Sequence, residues 1–311
     1  MINSKIQHAK AFAPATCANV GVGFDILGFA LETVGDEVTL IKRDDRKIVI
    51  ESIDSPENLP MAKDKNTASL VIEKLCSSLN LDLGFSIHIQ KGIPLCSGMG
   101  GSAASAVAAL VACNAFLQSP LSLYELAEFA RLGEQLASGA AHADNIIPCL
   151  FGGLTLIQCQ EPLKVIQLPT PKLYCVLIYP HLKVSTRDAR NLLAKEISLK
   201  KQVQQSAQLA SFISALYEND YQRLGQSMED VIIEPQRAQF VPDFYKIKEA
   251  ALQAGALGMS FSGSGPALFA FARTIKAAER IKEAMRLPLQ AKNIKSDWWI
   301  SPISDRAARL I

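Results

Sequence analysis

Apolar and polar positions alternate through GDEVTLIKRDDRKIVIESI, residues 35 to 53, on both sides of a turn made of acidic and basic residues. A period of two across such a turn predicts a β-hairpin. The alternation returns in FSIHIQKGIP at 85–94 and then stops at SGMGG, 97–101, after which an alanine-rich apolar run extends from 102 to 117. The order is strand, glycine loop, helix. A second helix is expected from Ser122, with Glu125 three residues on as its capping-box partner, to about Gly139. Beyond FGGLTLIQC at 151–159, prolines at 162, 169 and 171 break the pattern, so about 160–172 is the expected boundary, dividing the chain into 1–162 and 163–311. The second half opens on LYCVLIYP, 173–180, as a buried strand; helical periods at 199–218 and 243–254 and the strand-like PALFAFA, 266–272, follow. The pattern is that of an α+β protein.

Composition narrows the choice. A 311-residue chain with 49% hydrophobic and 20% charged residues can bury a large core in two domains of ordinary size. The 32 basic and 30 acidic residues are interspersed, so no basic stripe points to nucleic acid or an anionic membrane surface. The run at 102–117 is carried by alanine, includes Ser105 and Asn114, and is shorter than the ~20 apolar residues of a bilayer span. Without the layout of a secretory signal at its start, the chain reads as cytoplasmic and soluble. Its seven cysteines are odd in number and form no CxxC pair, which suits reduced thiols packed as small hydrophobes.

The glycine loop carries the candidate chemistry. A helix N-terminus presents unpaired N–H groups and a partial positive charge, and glycines let phosphate oxygens approach them. The loop by itself fits either a phosphate cradle or a tight helix-to-sheet turn. It has neither the GxxxxGK[ST] of a P-loop nor the GxGxxG of a dinucleotide fold.

PLCSGMGGSAA, Pro94 to Ala104, resembles the second motif of the GHMP small-molecule kinases, PxxxGLGSSAA. It departs at Met99, a mild change, and at Gly101, which removes one hydroxyl from the cradle. APATCANVGVGFDILGFAL at 13–31 resembles the first motif and GALGMSFSGSGPALFAFA at 255–272 the third. Within the superfamily, ANVGVGFDILG, HADNIIPCLFGG, LKVSTRDAR and VIIEPQR are similar to the homoserine kinase branch.

The resemblance implies a two-domain architecture, with an N-terminal ribosomal S5 domain 2-like nucleotide-binding domain and a C-terminal ferredoxin-like domain. It implies ATP as phosphoryl donor, Mg2+, and L-homoserine as acceptor, in threonine biosynthesis; a homodimer is compatible with it. The ATP residues would be Pro94, Leu95, Cys96, Ser97, Gly98, Met99, Gly100, Gly101, Ser102, Ala103 and Ala104, with Asn66 and Lys91 on the adenine side. Ser102 would face the metal.

A zwitterionic amino alcohol needs three groups recognised. Asp25 can pair with the ammonium and Asn19 can accept a hydrogen bond, while Arg190 and Arg237 offer planar forks for a carboxylate. Taken alone, Asp25 has turn capping as its lesser alternative, whereas either arginine reads first as a solvated surface charge. His142, Asp144 and Asn145 follow the second helix; a lone histidine suits a structural role as well as a catalytic one. By spacing from Gly152, Asn145 stands where the mevalonate kinase branch has an aspartate base. An amide cannot take that proton, so this branch is expected to align the hydroxyl and pass its proton to phosphate, with Asp144 a helper. At ~100° per residue Glu134 falls on the edge of the second helix's apolar arc, where its carboxylate needs either a basic partner or a metal shared with Ser102. The remaining alternatives are another GHMP kinase and a non-catalytic member of the same fold.

Overall fold

A computed structural model describes residues 2–3, 5–139 and 142–311. The first part of the chain forms β1 (His8–Ala18), β2 (Leu27–Arg43), β3 (Ile48–Asp54), α1 (Thr67–Ser78), β4 (Gly84–Gln90), α2 (Gly101–Asn114), α3 (Leu123–Ser138), α4 (Ile146–Phe151), β5 (Leu154–Gln160) and β6 (Leu163–Leu168). It continues with β7 (Tyr174–Pro180), α5 (Thr186–Asn191), α6 (Leu199–Glu218), α7 (Tyr221–Gln226), α8 (Glu234–Arg237), α9 (Phe244–Gln253), β8 (Met259–Phe261), β9 (Leu268–Ala272), α10 (Ile275–Ala291), β10 (Ser296–Pro302) and β11 (Arg309–Leu310).

The first sheet has the order β11-β1-β2-β4-β3, with β5 against β2 and β6 against β5. Both strands expected at 35–53 exist, as does the turn between them, but they do not form a hairpin. Strand β4 lies between them, antiparallel to β2 (Leu40 opposite Ile87) and parallel to β3 (Ile50 opposite Ile87). Alternation identifies a strand with one buried face and says nothing of its neighbour. The chain turns at 44–47, skips one strand position, crosses over through α1 and fills the gap with β4, whose Phe85, Ile87 and Ile89 are buried.

Helix α2 lies between β1 and β2 on one side and α1 and α3 on the other. Ten of its residues are buried, which alanine allows because its small side chain admits neighbours from every direction. It starts one residue before the expected run and ends at Asn114 rather than 117; Leu117 instead bridges Ile2. Helix α3 has the capping box of Ser122 and Glu125 and closes on Gly139 in the left-handed region.

The second sheet, β10-β7-β9-β8, is antiparallel throughout and carries α9 and α10 on one face. Its other face meets the first domain. In β9, Phe269 and Phe271 join the large core around Phe29, with ring centroids 5.6 and 5.4 Å away, while Leu268, Ala270 and Ala272 face the helices. Strand β7 divides likewise, Cys175 and Leu177 on one side and Val176 and Ile178 on the other. Burial on both faces explains their unbroken apolar runs.

The sheets change between Leu168 and Tyr174. Strand β6 pairs with β5, so a division after residue 162 passes through that pair, and the C-terminal β11 returns to β1 with Leu310 opposite Ala11. No helix among the described residues is long and apolar enough to cross a membrane.

Candidate active site

Residues from both domains line a cavity of about 520 Å³, a size that suits a small-molecule site. Its first wall is the loop after β1. Asn19, Val20, Gly21 and Asp25 all have positive φ, at 72°, 48°, 72° and 62°. For a β-branched valine that is a true outlier, the kind of local strain found at functional sites. Asn19 holds it in place: its amide oxygen accepts from Asp25 N–H at 3.0 Å and its amide nitrogen donates to the Gly263 carbonyl at 2.8 Å.

The second wall is the glycine loop. Four longer helices have side-chain N-caps, Asn66 on α1, Ser122 on α3, Ser198 on α6 and Thr274 on α10. Helix α2 begins at left-handed Gly100 with no side-chain cap, so its N-terminal N–H groups stay open toward the cavity. A Cβ on Gly100 would lie 2.2 Å from Thr16 Oγ1 and 2.9 Å from Asn145 Oδ1, and one on Gly98 2.5 Å from the Ser262 carbonyl. Only glycine permits that approach. Thr16 N–H bonds Met99 O at 3.1 Å, Gly263 N–H bonds Ala18 O at 3.1 Å and Ser262 Oγ donates to Gly98 O at 2.8 Å. The three glycine-bearing segments, joined by contacts that span 83 to 245 residues of sequence, therefore converge at the start of α2.

Ser102 Oγ donates to Glu134 Oε2 at 2.8 Å, joining α2 to α3 at the cavity edge. These two hard oxygens are of the kind that Mg2+ takes; among the described residues no group of three or more His, Cys, Asp and Glu could hold a metal.

The acceptor end is crowded with charge. Asp25 Oδ1 accepts from Arg190 at 2.6 Å, and Asp25 Oδ2 lies 3.9 Å from His142 Nδ1. His142 Nε2 is buried without a hydrogen-bond partner, and burial lowers the imidazole's pKa despite Asp25. Arg237 is 3% exposed; it donates to the Gly263 carbonyl at 2.8 Å, but its buried Nε has no partner. Burial, then the charge of Arg190, lowers its pKa to about 10. Such a buried fork is short of an anion. Asp144 is also buried, and burial, followed by the charges of Asp25 and Glu134, raises its pKa to about 7. Asn145 Oδ1 accepts from Thr16 Oγ1 at 2.8 Å, which fixes the amide and leaves its NH2 for another acceptor.

Arg237 is aimed by the segment preceding it. Asp230 accepts from the N–H groups of Ile232, Ile233 and Glu234 at 2.9, 3.0 and 2.9 Å, starting α8. Glu234 then ties α8 to Lys248 at 2.5 Å and to Ser260 Oγ at 2.9 Å.

The structure brings Asn19, Asp25, His142, Asn145, Arg190 and Arg237 into the same cavity as Ser102 and Glu134. Several expected roles change. Met99, Ala103 and Ala104 turn into the core and do not line the cavity, because an α2 buried on all sides exposes only Gly101, Ser102 and Ser105 there. Lys91 is buried and gives its ammonium to Asp36, the Gly101 carbonyl at 3.0 Å and Ser105 Oγ at 2.9 Å. It anchors the start of α2 rather than standing ready for a nucleotide. Asn66 lines the cavity but is the N-cap of α1, accepting from Ala68 N–H at 3.1 Å. Asn19 spends its amide on the loop. Thr16, Phe24, Asp36 and Thr67 escaped the sequence reading; Asp36, which also accepts from Gly92 and Ile93 N–H at 3.1 Å, looked like one charge in an alternating strand.

An uncapped helix end behind a glycine loop, an adjacent pair of hard oxygens and a zwitterion-sized charge cluster between two domains define a small-molecule kinase. Models described as the N-terminal and C-terminal domains of GHMP kinases match residues 66–153 and 212–290. The homoserine kinase of Chloroherpeton thalassium is 42% identical over 98% of this chain and all of its own length, and that of Chlorobium phaeobacteroides strain BS1 is 44% identical with the same coverage. The crystal structure of homoserine kinase from Cytophaga hutchinsonii superposes with a TM-score of 0.95 at 43% identity, covering 100% of this chain and 99% of that one. Mevalonate kinase from L. major, at 19% identity and a TM-score of 0.72 over 99% of this chain, shares the fold. The chain belongs to the GHMP kinases, in the homoserine kinase family.

Proposed function

We infer that the chain transfers the γ-phosphoryl group of ATP to the hydroxyl of L-homoserine, giving ADP and O-phospho-L-homoserine in the cytoplasm. The observation that carries the reading is the sharing of one cavity by the uncapped start of α2 and by the Asp25, Arg190 and Arg237 cluster. A triphosphate lies naturally against the open N–H groups of α2 and the backbone of 97–101. Mg2+ held by Ser102 and Glu134 would supply charge neutralisation at the phosphates.

The acceptor's ammonium replaces Arg190 on Asp25, and the freed Arg190 joins Arg237 on the carboxylate. With both charged ends fixed, the hydroxyl is directed toward Asn145, whose Thr16-held amide orients it for in-line attack. The O–P bond forms as the bond from γ-phosphorus to the bridging oxygen breaks, ADP leaves, and the hydroxyl proton passes to the transferred phosphoryl group. Alignment and charge stabilisation supply the rate.

ADP release by the purified protein with ATP and Mg2+ tests the reading, comparing L-homoserine with L-serine, L-threonine, mevalonate and galactose. Turnover confined to homoserine is expected. Turnover with a different alcohol would refute the assigned acceptor, and ATP binding without turnover on any of the panel would refute the kinase.

A further inference from the structure

Phe24 is in contact with two cations. Its half-buried ring lines the cavity, with Arg190 Cζ 5.1 Å and Arg237 Cζ 5.3 Å from the ring centroid. Both distances are within reach of the ring's quadrupole. Nothing else on the strained loop could do this: Val20 and Val22 are buried in the core, Asn19 is spent on hydrogen bonds, and Asp25 holds only one of the arginines.

The arrangement matters because the two guanidinium groups repel each other. Arg237 is fixed from behind through α8 and the Gly263 carbonyl, whereas among the described residues the anion that holds Arg190 is Asp25, at 2.6 Å. Once an incoming ammonium takes Asp25, Arg190 loses its anion while standing close to a second cation. An unanchored guanidinium would swing to solvent, which its 37% exposed side chain already touches. A π-face in contact with both forks counters that tendency without neutralising either.

We propose that Phe24 is a positioning residue, whose ring holds Arg190 and Arg237 together as a two-pronged clamp and keeps Arg190 in place while it moves from Asp25 to the acceptor carboxylate. This rests on the reading of the acceptor as a zwitterionic amino alcohol. Both cations that the ring touches belong to the acceptor cluster, so its effect falls on acceptor binding and not on ATP.

The test varies the ring's electron density at constant shape, by incorporating mono-, di- and trifluorinated phenylalanine at position 24, beside Phe24→Leu and Phe24→Tyr. The logarithm of KM for L-homoserine should rise stepwise with fluorination while KM for ATP stays within about twofold. Phe24→Leu should raise KM for L-homoserine by between about 2- and 30-fold, the span of one cation–π contact, and Phe24→Tyr should restore it. A KM for L-homoserine that is flat across the fluorinated series, or that moves together with KM for ATP, overturns the proposal even if Phe24→Leu does not fold. If the unmodified protein turns over ATP with no zwitterionic acceptor, the reading of the acceptor fails first and the clamp falls with it.

Discussion

The two ends of the cavity are built in opposite ways. The phosphate end comes chiefly from one continuous stretch, 94–105, and is ready in the free protein: α2 is uncapped, its glycines are locked by close contacts, and Lys91 with Asp36 anchors its first turn. The acceptor end is assembled from four separated segments and is paired with itself, Asp25 holding Arg190 at 2.6 Å. A donor common to many kinases needs only preformed backbone donors, whereas selecting a particular acceptor requires charges that an acceptor bearing both an ammonium and a carboxylate can exchange. An alcohol with only one of those charges leaves either Asp25 or the arginines without a partner, which is the costly outcome.

The contrast can be broken most sharply at the phosphate end. Gly100→Ala puts a methyl 2.2 Å from Thr16 Oγ1 on a backbone with φ of 71°, so kcat should fall by on the order of 10³, with the defect seen equally in ATP binding and in turnover. Glu134→Gln leaves the fold intact but weakens the hard-oxygen pair with Ser102; kcat should drop about 10²-fold and the Mg2+ needed for half-maximal rate should rise. An unchanged Mg2+ requirement at a normal rate would refute the metal role.

At the acceptor end the effects should be narrower. Arg237→Ala removes a charged hydrogen-bonding group, about 1.5–3 kcal/mol, and should raise KM for L-homoserine roughly 10- to 150-fold with KM for ATP little changed. Equal changes in both constants would remove the carboxylate contact.

Asp144 separates stability from chemistry. Its carboxyl titrates at about 7 in the folded protein against an ordinary 3.8, so the folded state keeps a proton that the unfolded chain releases. Stability from this group is fully present below about 3.8 and is lost as pH rises through about 7. Thermal melts of the ligand-free protein should therefore show Asp144→Asn gaining on the parent between pH 5 and 8, and a constant difference across that range would contradict the burial argument. The smallest effect is expected from Gly101→Ser, which restores the superfamily serine: the new Cβ lies 3.2 Å from Ile93 Cγ2, so a slight shift should leave KM for ATP within about threefold.

Legibility followed locality. The capping box of α3, the helix at 199–218 and the glycine loop lie within a few residues of the features that define them, and each appears where its pattern placed it. Arg190 and Arg237 were found through short stretches resembling a known family; an isolated arginine among 32 basic residues carries no mark of burial. Phe24 lies within the first motif without a mark of its own, since an aromatic side chain reads as core until two cations are seen against it.

What the sequence alone determined was therefore the kind of protein: an α+β chain whose glycine loop opens an alanine helix, whose charges are balanced, and whose three motifs run in a recognisable order. Those properties depend on backbone dihedrals, side-chain size and neighbours close along the chain. Tertiary structure decided which strand lies beside which, with β4 entering between β2 and β3, and it turned Met99, Ala103 and Ala104 into core. It also decided that Lys91 and Asn19 are spent on the scaffold while Arg237 is left buried and short of an anion. Hydrogen-bond partners and desolvation are set by groups far away in sequence, and a side chain's freedom to bind is whatever those groups leave unsatisfied.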